Sequence, residues 1–316
     1  MINSTFLGVL NGVIGDYLEK KNNPLAVSMD LYYKKQPLKG DLSTLKNDHA
    51  KYNGNACLFL HGSADSEQGW LGTDNYNYGT NLYESLNILP LYLRYNSGLH
   101  ISENGKLLAK LLNEYLAKND IKNLSVIGHS MGGLIFRSAC YYAEINHYNW
   151  LEKVDHVFYI GSPHHGAPLE KFGAWTHAFV KKINNPVTDA ISKLIDIRSD
   201  GIKDLRHGYI IDEEWLEDQK DHFPKNRKIN FPLTSNTDHY VIAATLRKNI
   251  NSVISNWIGD IMVQKDSALG KSDIDGHHLD FREENILILG GSSHVKLRHH
   301  PKVNNFLLEK LAGLTA

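Results

Sequence analysis

The hydrophobic positions change period several times along the chain, and the changes mark the elements. Ala56 to Leu60 (ACLFL) is a short apolar run bounded by Asn53-Gly54-Asn55 and His61-Gly62, as expected of a parallel strand buried on both faces. Leu89 to Tyr95 (LPLYLRY), Leu124 to Gly128 (LSVIG), Val154 to Ile160 (VDHVFYI), His239 to Leu246 (HYVIAATL) and Ile286 to Leu289 read the same way. Between them the apolar period lengthens to 3.6. Leucines at 107, 108, 111, 112 and 116 make a stripe over a helix from Ser102 to Lys118, with Ser102 in the N-cap position. Further helices are predicted over Thr5 to Leu18, Asn81 to Asn87, Leu134 to Tyr142 and Val303 to Leu311, and a short helix or loop over Asn251 to Ile258.

Strand-helix-strand alternation over more than 100 residues indicates a doubly wound, mostly parallel α/β sheet. The alternation breaks between Leu169 and Ser235. That stretch is polar, carries Trp175 and Trp215, and has helical patches at Pro186 to Ile197 and Asp212 to Lys220. It reads as a helical cap inserted over the C-terminal edge of the sheet, within one domain spanning residues 1–316.

Composition narrows the function classes. With 42% hydrophobic and 22% charged residues and a formal net charge of -1, nothing favours nucleic acid or an anionic membrane as partner. Cys57 and Cys140 fall in a strand and a helix and read as small buried hydrophobes in a reduced protein. The 17 histidines include adjacent pairs but no zincin-like helical spacing, so neither a metal nor another cofactor is expected. The apolar run Phe6 to Ile14 is too short to span a bilayer and lacks a basic flank and a cleavage site. The expected location is therefore cytoplasmic, with an unconventional export route left open.

The chemistry is concentrated at Gly128-His129-Ser130-Met131-Gly132-Gly133. G-x-S-x-G between a buried strand and a helix puts a serine on a tight turn with its hydroxyl above the sheet. The glycines leave room where a Cβ would meet the neighbouring strand and helix. A serine hydroxyl needs a base, and the base needs an orienting acid. In such a sheet they follow in the order serine, acid, histidine. In WIGDIMVQKDSALG, Asp260 sits at a Gly-Asp junction and is favoured, with Asp266 the alternative; Asp155 and Asp238 each precede a strand and lie at the wrong edge. In GGSSHVKLRHHPKV, His294 comes first after the last strand and is the favoured base, while His299 and His300, beside Arg298, suit a solvated helix face. An oxyanion hole needs two fixed N–H donors. Met131, just after the serine at a helix N-terminus, supplies one, and Ser63, in the loop after FLHG, supplies the other. Gly62 allows that backbone to come close, and His61, Gly62 and His129 are candidate substrate-pocket residues.

The segments LFLHG, GHSMGG, GSPHHGAP and GDIMVQKDSALG together resemble an α/β-hydrolase of the lipase/esterase kind. More narrowly, with LYLRYNSGLHISENG, RSDGIKDLRHG and NGVIGDYL, they resemble bacterial serine hydrolases related to the GPI inositol-deacylase group. The resemblance spans most of the chain. It implies the α/β-hydrolase fold, with Ser130 as nucleophile, Asp260 as acid and His294 as base. The acid motif of such lipases reads Gly-Asp-Gly-x-Val-Pro; here Ile261 and Gln264 replace its second Gly and its Pro, while Gly259-Asp260 and Val263 match. The Gly-x-Pro-His-x-Gly turn is similar to GSPHHGAP and makes His164 and His165 pocket-wall residues.

The expected activity is hydrolysis of a small-molecule or lipid ester through an acyl-enzyme, with transient contact to a membrane surface compatible with it. A thioesterase, amidase or acyltransferase on the same fold is the alternative, and a non-catalytic binding protein a more distant one. Trp70, Tyr76, Tyr78 and Trp175 suit an apolar acyl pocket or ordinary packing equally.

Overall fold

A computed structural model describes residues 3–39, 42–45, 53–72, 77–167, 199–218, 229, 231–245, 263–272 and 277–315. Residues 169–198, 219–228 and 230 of the expected cap, with Trp175 and the helix Pro186 to Ile197, lie outside the described residues, as do Tyr76, Asn251 to Ile258 and Asp260.

The described elements run in the order α1 (Ser4–Lys20), β1 (Asp30–Tyr33), β2 (Gln36–Pro37), β3 (Asn55–Leu60), α2 (Tyr78–Leu86), β4 (Leu89–Arg94), α3 (Ile101–Lys118), β5 (Asn123–His129), α4 (Met131–Ile145), β6 (Val154–Ile160), α5 (Asp200–His207), α6 (Asp212–Asp218), β7 (Asp238–Thr245), α7 (Lys265–Ala268), β8 (Ile286–Gly290) and α8 (Pro301–Leu311). One eight-stranded sheet has the order β2-β1-β4-β3-β5-β6-β7-β8. The pairs from β4 to β8 are all parallel, and β1 and β2 close one edge antiparallel. The six parallel strands are those expected from the sequence, within a residue or two at the ends. The edge pair was not expected. A four-residue and a two-residue strand joined by Lys34-Lys35 carry too little pattern to be read in isolation.

Alternation within the strands sorts the core into two layers. Leu58 and Leu60 of β3, Val126 of β5, and Val157 and Tyr159 of β6 face α3 and α4. Phe59, Ile127, Phe158 and Ile160 face the other way, onto Tyr78 and Leu82 of α2 and Val303, Leu307 and Leu311 of α8. Strands covered on both faces read as continuous apolar runs for this reason. Cys57 and Cys140 are free thiols buried in opposite layers, and burial holds both thiol pKa values above the ordinary range.

One cap differs from expectation. The residue preceding α3 is His100, and the helix N-terminus is satisfied from a distant element: Asp204 of α5 accepts from the Ile101 N–H (2.8 Å) and the His100 ring (3.1 Å). Ser102 instead lies inside the helix, where its hydroxyl accepts from the Trp215 indole N–H (3.0 Å). A carboxylate at a helix N-terminus stabilises it more than a hydroxyl does.

Candidate active site

The site forms at the C-terminal ends of the parallel strands, where an open α/β sheet leaves a crevice. Ser130 links β5 to α4 with φ 54° and ψ -122°, a conformation that costs a non-glycine residue roughly 1–3 kcal/mol. Two backbone bonds hold it there: its N–H donates to Ile160 O (2.9 Å), and its carbonyl accepts from Gly133 N–H (3.2 Å). The turn is possible only because its neighbours lack side chains. A Cβ on Gly132 would lie 2.6 Å from Leu60 O and 2.7 Å from His61 O. A Cβ on Gly128 would lie 2.6 Å from Gly133 N.

The loop after β3 passes directly over the serine. A Cβ on Gly62 would be 3.2 Å from the Ser130 Cβ and 3.0 Å from His129 Nδ1. Ser63 follows, buried, and its hydroxyl has no hydrogen-bond partner among the described residues. Ala64 then turns through φ 54°, and its N–H donates to Ser97 Oγ (3.1 Å). Opposite this loop, Met131 is the first residue of α4, so its amide has no carbonyl one turn behind it within the helix.

His294 arrives on the turn after β8. Gly291 and Ser292 donate their N–H groups to Thr245 O at 2.7 and 3.2 Å, and His294 itself caps the 3₁₀ turn Val295–His299. The Nε2–H of His129 donates to the His294 carbonyl (3.2 Å), and the two rings pack with centroids 4.7 Å apart. The base candidate is therefore held by the residue immediately before Ser130. Burial, with the Arg298 charge nearby, keeps the His129 pKa well below the usual histidine value, so its ring is neutral and acts as a fixed donor. His61 is also buried, which lowers its pKa; its ring stacks on Tyr95 (centroids 4.0 Å), whose hydroxyl donates to His61 O (2.6 Å).

The structure distributes the remaining predicted residues as follows. His164 is fully buried, edge-on to Tyr159 (4.8 Å). The His165 ring bonds Gly270 O (2.8 Å), and the His165 backbone N–H donates to Ser267 Oγ (3.1 Å), which ties the turn after β6 to α7. Asp266, the alternative acid, is exposed in the first turn of α7. Asp238 opens β7, at the edge away from Ser130. Trp70 and Tyr78 take the packing role: Trp70 stands edge-on to Phe59 (5.3 Å), and the Tyr78 hydroxyl donates to Leu297 O (2.5 Å).

The solvated face expected at His299 and His300 is not found: both are half-buried. His299 Nε2 bonds Gly69 O (3.0 Å), and Arg298 is nearly buried in an ion pair with Asp65. Both partners lie on the loop after β3, about 230 residues away in sequence, and only chain crossing brings them into range. His300 does cap α8, its Nδ1 accepting from Lys302 N–H (3.2 Å). Among the described residues no group of His, Cys, Asp and Glu could hold a metal, and no helix is long and apolar enough to cross a membrane.

The sheet order, the elbow and the loops at its C-terminal edge define an α/β-hydrolase fold, as the sequence motifs suggested. Within that class the chain belongs to the family of the PGAP1-like alpha/beta domain, whose model matches residues 87–261, more than half of the 316. The match includes Ser130 and Asp260 and stops before His294. Among solved structures, the Bacillus licheniformis lipase BlEst2 is similar at 20% identity, covering 83% of this chain and 92% of that one, with a TM-score of 0.49. The Bacillus subtilis carboxylesterase CesB is similar at 12% identity, covering 83% and 85%, with a TM-score of 0.45. Aspergillus fumigatus lipase B is similar at 14% identity, covering 82% and 52%, with a TM-score of 0.45. None of the curated proteins matches the sequence.

Proposed function

We propose that the chain is a serine hydrolase of carboxylic esters that works through an acyl-enzyme. The observation that carries this reading is Ser130 itself: a non-glycine residue held at φ 54°, under a loop where a Cβ on Gly62 would lie only 3.2 Å from its own. Strain of this kind persists only where the surroundings over-determine it, and it collects at reactive groups.

In the proposed reaction His294 takes the Ser130 proton as Oγ attacks the ester carbonyl. The amides of Met131 and Ser63 receive the oxyanion, helped by the positive end of α4. Asp260 fixes the His294 tautomer and stabilises the imidazolium. The leaving alcohol takes the proton from His294. Water, with His294 again as base, then attacks the acyl-enzyme, releases the acid and restores Ser130. The exposure of Asp266 favours Asp260 as the acid. The family match and the lipase and carboxylesterase names of the similar structures agree with an ester substrate.

A fluorophosphonate probe should label the protein at Ser130, and p-nitrophenyl esters of graded acyl length should be turned over. Ser130→Ala should abolish both with the circular dichroism spectrum unchanged. Wild-type turnover by Ser130→Ala would refute the assignment.

A further inference from the structure

We propose that Asp65 and Arg298 form a latch that positions His294 against Ser130 by locking the loop after β8 to the loop after β3. The inference rests on the reading of Ser130 and His294 given above. Arg298 Nη1 donates to Asp65 Oδ2, and the two side chains are only 11% and 13% exposed. Each lies close to a proposed catalytic group. Asp65 follows Ser63 by two residues, across the left-handed Ala64. Arg298 follows His294 by four residues, in the 3₁₀ turn that His294 caps. Holding the guanidinium therefore holds the turn, and with it the start of the base loop.

The surroundings are shaped around the pair. A Cβ on Gly69 would lie 2.6 Å from both Asp65 carboxylate oxygens, so the short turn Glu67–Trp70 can lie over the pair only with glycine there. A Cβ on Gly8 of α1 would collide with the Asp65 carbonyl, so α1 fences the loop from its other side. His299 Nε2 to Gly69 O (3.0 Å) and Tyr78 Oη to Leu297 O (2.5 Å) run parallel to the pair across the same gap. A charge-assisted bond is directional, and a nearly buried one is strongly weakened by loss of either partner. Asp65 and Arg298 touch no reacting atom; they are positioning residues. Displacing a general base by about 1 Å is enough to cost about 100-fold in rate.

The test compares fluorophosphonate labelling rates of wild type, Asp65→Asn, Arg298→Gln, Arg298→Lys and the double variant Asp65→Asn/Arg298→Gln, together with kcat, KM and thermal midpoints. The latch predicts that Asp65→Asn and Arg298→Gln each slow labelling by about 30- to 100-fold, with the loss in kcat and KM held within about threefold. The double variant should be no slower than the slower single, and Arg298→Lys, which keeps the charge and also covers a failure of Arg298→Gln to fold, should recover to within about fivefold of wild type. Wild-type labelling by the single variants, multiplied losses in the double, or an Arg298→Lys as slow as Arg298→Gln would each overturn the latch and leave Ser130 as nucleophile. An unlabelled wild type would overturn the Ser130 reading and the positioning role together; the thermal midpoints would still show whether the two side chains are coupled.

Discussion

The turn that carries Ser130 and the turn that carries His294 meet through His129 but are held by different means. The first is shaped by backbone and by missing side chains: six consecutive residues, Gly128 to Gly133, contain the strain, the close approaches and the helix start. The second is shaped by side chains from far away. His129 grips the His294 carbonyl, Tyr78 grips Leu297, and Asp65 grips Arg298. A nucleophile needs one rigid conformation, which local geometry can impose. A base must be placed relative to that nucleophile, and only contacts across the fold can do so.

The sharpest way to separate the two is at Ser130. Ser130→Gly should lower ester turnover by about 10⁴-fold or more. It should also raise stability by about 1 kcal/mol, because glycine accepts φ 54° without strain. Denaturant unfolding beside turnover would show both. A destabilised Ser130→Gly would mean that the elbow stores no strain.

Gly132→Ala attacks the same turn from its packing side. The added methyl meets two carbonyl oxygens at 2.6 and 2.7 Å, which backbone cannot yield cheaply. A loss of about 3 kcal/mol or more is expected, with labelling abolished even though the His294 loop is untouched. A thermal midpoint within a degree of wild type would contradict the geometry.

His239 provides a contrast at the opposite edge of the sheet. It is buried at the start of β7, with Nε2–H donating to Thr234 O (3.0 Å) and Nδ1 accepting from the Tyr159 hydroxyl (3.3 Å). Burial, with a smaller contribution from the Arg137 charge, pushes its pKa down to about 4. A depressed histidine pKa favours the folded state fully above the unfolded value near 6.5, and that contribution is lost as pH falls towards 4. Stability should therefore drop by up to about 3 kcal/mol between those limits. His239→Gln should flatten that drop in pH-dependent unfolding while leaving labelling at pH 8 unchanged. A loss of labelling would place His239 in the catalytic machinery.

The smallest effect is expected at Tyr78→Phe. The hydroxyl it removes donates to Leu297 O and accepts from His300 N–H (2.9 Å), so about 1–2 kcal/mol should be lost. Because the lost bond belongs to the loop that carries His294, labelling should slow several-fold while the elbow stays intact. Unchanged labelling would confine the hydroxyl to stability.

The amino-acid sequence by itself determined the parallel strands, their helices and the elbow. Those features depend on neighbours in the chain: apolar runs for strands covered on both faces, a 3.6-residue stripe for α3, and glycines around one serine. It also ordered Ser130, Asp260 and His294 along the chain, with Asp260 beyond the described residues. What the tertiary structure alone decided are partnerships between distant residues. The antiparallel edge β1–β2, the Asp204 cap on α3, the grip of His129 on His294 and the burial of Arg298 against Asp65 have no local signature. Arg298, His299 and His300 look alike as a polar run; only the loop after β3, folding over the first two, turns them from a solvated face into the anchor of the loop that carries His294.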